Sequence, residues 1–580
     1  MSRQHLILPI VMGLFVAASA LPAQAGSGPA VHDIVIRGGT IYDGSGGKPF
    51  TGEVAIDGDR IVYVGKPHGL HGRTEIDASG KAVAPGFINM LSWANESLLE
   101  DGLGQSDLRQ GITLEVMGEG NSMGPLNERM RAQARERQID IHYDVDWTTL
   151  GQYLEKLESG GVALNVTSFV GATSVRDYVL GEGDVQPTPA QLDQMRVLVR
   201  EAMEQGAVGV GASLIYAPAS YSKTPELVAL ATEAGRCGGM YIAHMRSEGD
   251  RLLEAVQETI DIARASGAPA EIYHLKAAGR SNWPKLDQVI AMIEAARKQG
   301  LRITTDMYTY IGGATGLDAA MPPWVQDGGL EAWVARLKDP AARARAIADM
   351  RDPNPAWENL ALHARPEGML LLSFKNPRLK PLTGMTLAAV AQQRGVSPED
   401  AAIDLVIEDG SRVGTAYMLM SEDNVRRQTA LPWMSFGSDE AAQAPVGVFL
   451  LSNAHPRAYG NFARLLGRYV REEKALTLED AVRRLSGLPA HNLALADRGR
   501  LKQGYFADVV VFDPKTIEDH ATFEKPHQYA TGVSEVVVNG KIALQGGEAT
   551  GAKPGRFVRG RGWTGYKGGG CRASSHEWSW

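Results

Sequence analysis

Five short segments of this 580-residue chain end in side chains able to bind a metal ion or move a proton. They are Gly118-Glu119-Gly120, Ala243-His244-Met245-Arg246, Tyr273-His274-Leu275-Lys276, Asp306-Met307-Tyr308-Thr309-Tyr310 and Gly437-Ser438-Asp439, and each closes a short apolar run. Glu119, His244 and His274 offer one carboxylate and two imidazoles, a sufficient set of three ligands for a zinc-like ion that keeps a fourth position open for water. Such water loses its proton near neutral pH, and a nearby carboxylate can accept that proton and pass it to a leaving amine. Asp439 is the natural base. Each residue alone has a plainer reading: a strand-end histidine is more often a hydrogen-bonded core residue, and Glu119 could cap the following helix. Together, on successive strand ends of one fold, they favour the metal.

The elements that must position them follow from the pattern of apolar residues. Eight runs can be counted: "AVAPGFINML", "GITLEVMG", "ALNVTSFVGA", "AVGVGASL", "GMYIAHM", "PAEIYHLKA", "RITTDMYTY" and "LPWMSFGSD". Amphipathic stretches such as "PAQLDQMRVLVREAMEQG" and "DRLLEAVQETIDIARASG" separate them, the pattern of parallel strands with crossover helices. Eight such units predict an α/β fold, a (β/α)8 TIM-like barrel whose active site lies at the C-terminal strand ends. Residues 85–486 are assigned to this barrel, with an insertion near the charged stretch 318–380. Alternating segments such as "GEVAIDGDRIVYVG" and "VSEVVVNGKIALQGG" at the two ends predict short antiparallel strands. Residues 32–84 with 487–553 are expected to build one small β-sandwich domain, and 554–580 a tail whose end is extended or poorly ordered.

A net charge of −8 with both signs interspersed gives no basic stripe, and so no nucleic-acid partner is expected. Residues 1–25 read as a cleaved signal peptide, with an apolar core from Leu6 to Ala20 and a small-residue site at Ala23-Gln24-Ala25. That predicts a periplasmic or secreted protein without a membrane span in its mature chain. The two cysteines, Cys237 and Cys571, could pair in an oxidising compartment, but two do not make a disulfide framework and both are read as structural or incidental.

The motifs "APGFI", "GVGASLIYAPASYSKTPELVALA", "YIAHMRSEGDRL", "IYHLKAAG", "DMYTYIGGATGL" and "FGSDEAA" resemble the amidohydrolase superfamily, and within it the D-aminoacylases. The likeness spans nearly the whole mature chain and is most specific in "AHPRAYGNFARLLGRYVREEKALTLEDAVRRLSGLPAHNLALADRGRLKQGYFADVVVFDP". It implies a distorted barrel beside a small β-domain, with His244 and His274 as metal ligands and Asp439 as the catalytic aspartate. Lys276, Tyr308 and Arg457 match positions that hold the substrate carboxylate, with Tyr310 an alternative to Tyr308. Two departures stand out. The family's His-x-His on strand one is Leu91-x-Trp93 here, and Glu119 falls beside the place of a missing cysteine ligand. An oxygen ligand in place of a thiolate makes a harder site. Loss of the strand-one pair removes a second metal position and leaves Trp93 and Leu91 as an apolar pocket wall, where Asn89 or Ser92 could add a hydrogen bond.

The expected activity is that of a metal-dependent amide hydrolase with one divalent ion, Zn2+ first. It would deacylate N-acyl (D-)amino acids or dipeptide-like amides, small molecules bearing a carboxylate, and an oligomer is compatible with the sequence. Hydrolysis of another amide, a carbamate, an ester or a lactone on the same site is the alternative, and a non-catalytic binding homologue is a further one.

Overall fold

The apolar runs become parallel strands with helices between them in a computed structural model that describes residues 31–565 and Cys571. Phe87–Asn89, Ile112–Met117 and Asn165–Ser168 pair in parallel in a three-stranded sheet. Val170–Gly171, Gly209–Ser213, Met240–His244, Ala270–Ile272, Ile303–Met307 and Met434–Phe436 pair in parallel in a six-stranded one. Only Phe169 separates the two sheets along the chain. At their far edges the Met90 N–H donates to the Phe436 carbonyl (3.1 Å) and the Asp439 N–H to the Leu91 carbonyl (2.8 Å). These strands are buried throughout, which explains why their sequences run apolar instead of alternating.

The helix Pro189–Glu204 shows how a crossover is specified locally. Thr188 caps it by accepting from the Gln191 N–H while Gln191 reaches back to the Thr188 N–H, and Pro189 sits in the first turn. A cap of this kind stabilises by about 1 kcal/mol. Met195, Val199, Ala202 and Met203, spaced at three and four residues, form the buried stripe.

Both ends of the chain meet in one nine-stranded sheet. Val509–Phe512 pairs with Ala82–Pro85 on one side and Val533–Val538 on the other, and Ala82–Pro85 continues to Val31–Ile41, Phe50–Asp57 and Arg60–Gly65. The strands of the expected small β-domain are thus joined in a single hydrogen-bonded sheet. Its cause lies in Val31–Ile41, which pairs with His71–Asp77 up to Arg37 and with Ala82–Pro85 from Thr40, so that both sets of partners join one network. The strand Val509–Phe512 serves two cores. Val509 and Val511 pack with Ile34, Ile56 and Val83, while Val510 and Phe512 pack with Phe87 beneath the parallel strands. Alternate side chains of a strand point to opposite faces, so a strand between two cores must be apolar at every position.

A fourth sheet, antiparallel, joins Gly312–Gly316, Gly414–Met418 and Met369–Ser373, with its own apolar cluster around Leu337, Leu371, Phe374 and Tyr417. The segment between the last two parallel strands thus begins before and ends after the charged stretch 318–380, because its outer strands are apolar and uncharged. The tail is also more fixed than its composition suggests. The Val558 N–H donates to the Val166 carbonyl (2.9 Å) and the Gly560 N–H to the Gly206 carbonyl (2.8 Å). Cys571 forms a disulfide with Cys237 across 334 residues, so of the two readings the structural one holds. The expected signal segment and the rest of the tail lie outside the described residues, among which no helix is long and apolar enough to cross a membrane.

Candidate metal centre

Glu119 follows the strand Ile112–Met117 between two glycines with left-handed backbone, Gly118 at φ +104° and Gly120 at φ +67°. A Cβ on Gly118 would lie 2.3 Å from the Phe169 carbonyl oxygen, so only glycine lets the chain turn there and aim the carboxylate inward. His244 ends Met240–His244. His274, just past Ala270–Ile272, has φ +33° and its N–H donates to Asp306 Oδ1 (2.9 Å); Asp439, just past Met434–Phe436, has φ +52°. Two non-glycine residues held in the left-handed region are strained, and such strain persists where the surroundings over-determine it.

These strand ends bring three ligand atoms together. His274 Nε2 lies 3.1 Å and His244 Nδ1 3.3 Å from Glu119 Oε1, and the two nitrogens are 3.1 Å apart. All three residues are buried. Metal bonds of about 2.0–2.1 Å in a tetrahedral arrangement place ligand atoms about 3.3 Å apart. The donor triangle therefore has the edge of a tetrahedral zinc site, and its N, N, O chemistry suits a borderline divalent ion. Burial alone would push the Glu119 carboxyl up, but the adjoining imidazoles of His274 and His244 hold it well below the usual carboxylate range.

Behind the histidines stands Glu248, which the sequence reading did not single out. Its Oε1 lies 3.1 Å from His274 Nδ1 and 2.7 Å from Lys276 Nζ, and its Oε2 is 3.6 Å from His244 Nε2. A carboxylate at a histidine's outer nitrogen fixes that ring's orientation, as Glu248 can for His274; near His244 it adds negative charge without a hydrogen bond. The signal was present in "AHMRSEGD", where Glu248 follows His244 by four residues. The Lys276 ammonium is also 2.7 Å from His274 Nδ1.

In front of the triangle, Trp93 Nε1 donates both to Glu119 Oε2 (3.1 Å) and to Asp439 Oδ1 (3.0 Å). The other Asp439 oxygen lies 2.8 Å from Arg457 Nη2. Burial lifts the Asp439 carboxyl above an ordinary aspartate, against the opposing pull of Arg457. Arg457 is buried and lies over the Tyr308 ring at 4.2 Å, and among the described residues its Nε and Nη1 and the Tyr308 hydroxyl have no hydrogen-bond partner.

Eight of the residues singled out in the sequence, Trp93, Glu119, His244, His274, Lys276, Tyr308, Asp439 and Arg457, line one cavity of about 720 Å³. Tyr310 does not line it; its hydroxyl donates to Asp519 (3.2 Å). Leu91 is fully buried away from the cavity, against expectation, whereas Trp93 lines it and turns its polar N–H to two carboxylates. Asn89 is buried below the cavity, where it donates to Glu115 (2.9 Å) and Ser438 (2.8 Å) and accepts from the Ser438 N–H (2.8 Å). Its role is to hold the strand end that carries Asp439.

A mixed α/β fold with a buried three-ligand site and an acidic group poised beside it at the strand ends defines a metal-dependent hydrolase. Comparison with known proteins narrows this class. The chain belongs to the amidohydrolase family, whose model matches residues 74–544. It is 32% identical over 537 residues to the D-aminoacylase of Alcaligenes xylosoxydans xylosoxydans, covering 92% of this chain and 99% of that one. The crystal structure of N-acyl-D-glutamate deacylase from Bordetella bronchiseptica, complexed with zinc and a phosphonate mimic of the tetrahedral intermediate, is 29% identical with a TM-score of 0.74, over 91% of this chain and 100% of that one. A D-aminoacylase structure described in terms of its binuclear metal centre, with one-metal activation and second-metal attenuation, matches at 29% identity and a TM-score of 0.75 over the same shares.

Proposed function

We propose that the protein is a mononuclear, zinc-dependent deacylase of N-acyl amino acids, with D configuration preferred, or of closely related dipeptide-like amides. The observation that carries this reading is the buried triangle of Glu119, His244 and His274 with Asp439 and the open face of Arg457 in the same cavity. Glu119, His244 and His274 would hold the ion. When bound, it supplies Lewis acidity toward the scissile carbonyl and acidifies a water. Asp439, with its raised pKa, takes the proton from that water and returns it to the departing nitrogen. Arg457 Nε and Nη1 and the Tyr308 hydroxyl, buried and unpaired, are set to receive the substrate carboxylate, and Lys276 adds positive charge to the same wall. Glu248, which can accept from the His274 Nδ1–H, fixes that ring so that Nε2 faces the ion.

The parallel strands are read as a (β/α)8 barrel of residues 85–486, with an inserted subdomain between its last two strands and a small β-domain from both chain ends. Export to the periplasm or beyond is supported by the signal-like N-terminus and by the Cys237–Cys571 disulfide, which is stable in an oxidising compartment.

Zinc analysis and a hydrolysis screen on one preparation test the reading. One ion per chain is expected, with turnover of N-acetyl-D-amino acids exceeding that of N-acetyl-L-amino acids and of uncharged amides. Glu119→Ala should lose the zinc. Retention of stoichiometric zinc by that variant would overturn the ligand set, and hydrolysis of uncharged amides alone would overturn the carboxylate assignment.

A further inference from the structure

We infer that Trp93 is a positioning residue whose indole N–H stands in place of a second cation between Glu119 and Asp439, joining the metal ligand to the base and limiting the centre to one ion. The inference rests on the one-ion reading above and goes beyond it in naming what holds the two carboxylates together.

The two oxygens of Glu119 have different neighbours. Oε1 faces His244, His274 and the Ser213 hydroxyl (3.3 Å), whereas Oε2 faces Trp93 Nε1. The same N–H reaches Asp439 Oδ1, and the other Asp439 oxygen is taken by Arg457. Two carboxylates directed at one another repel unless a proton, a cation or a donor lies between them. Here the donor is a single indole N–H, a hydrogen-bonding group without net charge. It therefore leaves Asp439 free to gain and lose a proton, which a bound cation at that point would oppose.

Trp93 is itself well fixed. Its backbone N–H donates to the Glu440 carbonyl (2.9 Å), which ties the end of the first parallel strand to the segment just after Asp439. With Oε2 held by the indole, Oε1 is the Glu119 oxygen left facing the two imidazoles and would be the one offered to an ion. The distance from ligand to base is thus set by two hydrogen bonds to one nitrogen.

The test uses the full-length protein, stripped of metal and titrated with Co2+, with uptake followed by visible absorption and by equilibrium dialysis. The wild type should saturate at one Co2+ per chain even in excess. Trp93→Phe, which keeps the ring and removes the donor, should still take up one Co2+, reporting an intact fold and triangle, but with an altered cobalt spectrum. Its kcat should fall about ten- to a hundred-fold with KM nearly unchanged, the signature of a displaced catalytic group. A second Co2+ equivalent in the wild type overturns the inference, as does a Trp93→Phe protein with wild-type kcat and spectrum. Failure of the wild type to bind any Co2+ is a different outcome, which brings down the metal-centre reading and this inference with it.

Discussion

Replacing Asp439 with Asn separates proton transfer from metal binding. The carboxylate accepts from Trp93 Nε1 at 3.0 Å through one oxygen and faces Arg457 Nη2 at 2.8 Å through the other. A carboxamide has one acceptor oxygen and one NH2 group, so in either orientation one of these donors meets another donor. The buried Arg457 charge also loses its carboxylate, a change that costs about 3 kcal/mol, the lower end for a broken buried ion pair because the cavity admits water. The larger effect is on turnover. A positioned acid–base group contributes about 10²- to 10⁴-fold, or about 3–5 kcal/mol of barrier. Zinc should be retained in full, because Glu119, His244 and His274 are untouched. The assay compares kcat on an N-acetyl-D-amino acid, zinc content and the denaturant midpoint of wild type and Asp439→Asn. In the wild type, activity should fall as pH drops through a pKa above the ordinary aspartate value, since only the ionised form is a base and burial raises that pKa. The residual activity of Asp439→Asn should lack that acid limb. A variant within about tenfold of wild-type kcat at full zinc occupancy would refute the assignment of Asp439 as the base.

Two further outcomes are expected away from the reacting atoms. Glu248→Gln should weaken zinc binding about 10- to 100-fold in a chelator competition, because it removes the charge behind both imidazoles; unchanged affinity would show that Glu248 does not act on them. Glu358, which accepts from the Ser247 hydroxyl (2.5 Å) and the Glu248 N–H (3.2 Å), has its carboxyl raised by burial from 4.5 to about 7. Between those values the folded protein keeps a proton that the unfolded chain releases, so stability falls as pH rises through this window, by at most about 3 kcal/mol. Glu358→Gln should then raise the melting temperature relative to wild type at pH 8 and lose that advantage at pH 5; a difference independent of pH would contradict the sign.

Most of the fold was legible because burial on two faces leaves a continuous apolar signature. Each of the eight runs holds a parallel strand, and their polar end residues reach one cavity. What misled was charge used as a boundary. The segment between the last two parallel strands is charged in its middle but begins and ends in strands such as "GGATG" and "GTAYM", whose composition resembles the core on which they border. The pairing of the strands from both chain ends in one sheet was hidden for a related reason. Alternation identifies a strand but not its neighbours, and the switch of partners along Val31–Ile41 has no marker beyond the glycines at 38 and 39.

The site divides along another line. Ligands are legible because few side chains bind metal and their strand-end positions repeat, so Glu119, His244, His274 and Asp439 could be named from type and place. Residues that act through a ligand carry no such restriction. Glu248 is one carboxylate among many in the sequence, and only folding brings it behind two imidazoles at 3.1 and 3.6 Å. Trp93 is harder still, since its size argues for an apolar wall while its effect comes from one N–H whose direction depends on χ angles. A tryptophan where the family has a histidine looks like a lost ligand. Its 3.0 and 3.1 Å bonds to two carboxylates instead make it a neutral donor between Asp439 and Glu119. The departure from the family pattern is therefore a change of what lies between Glu119 and Asp439, with both of those groups kept.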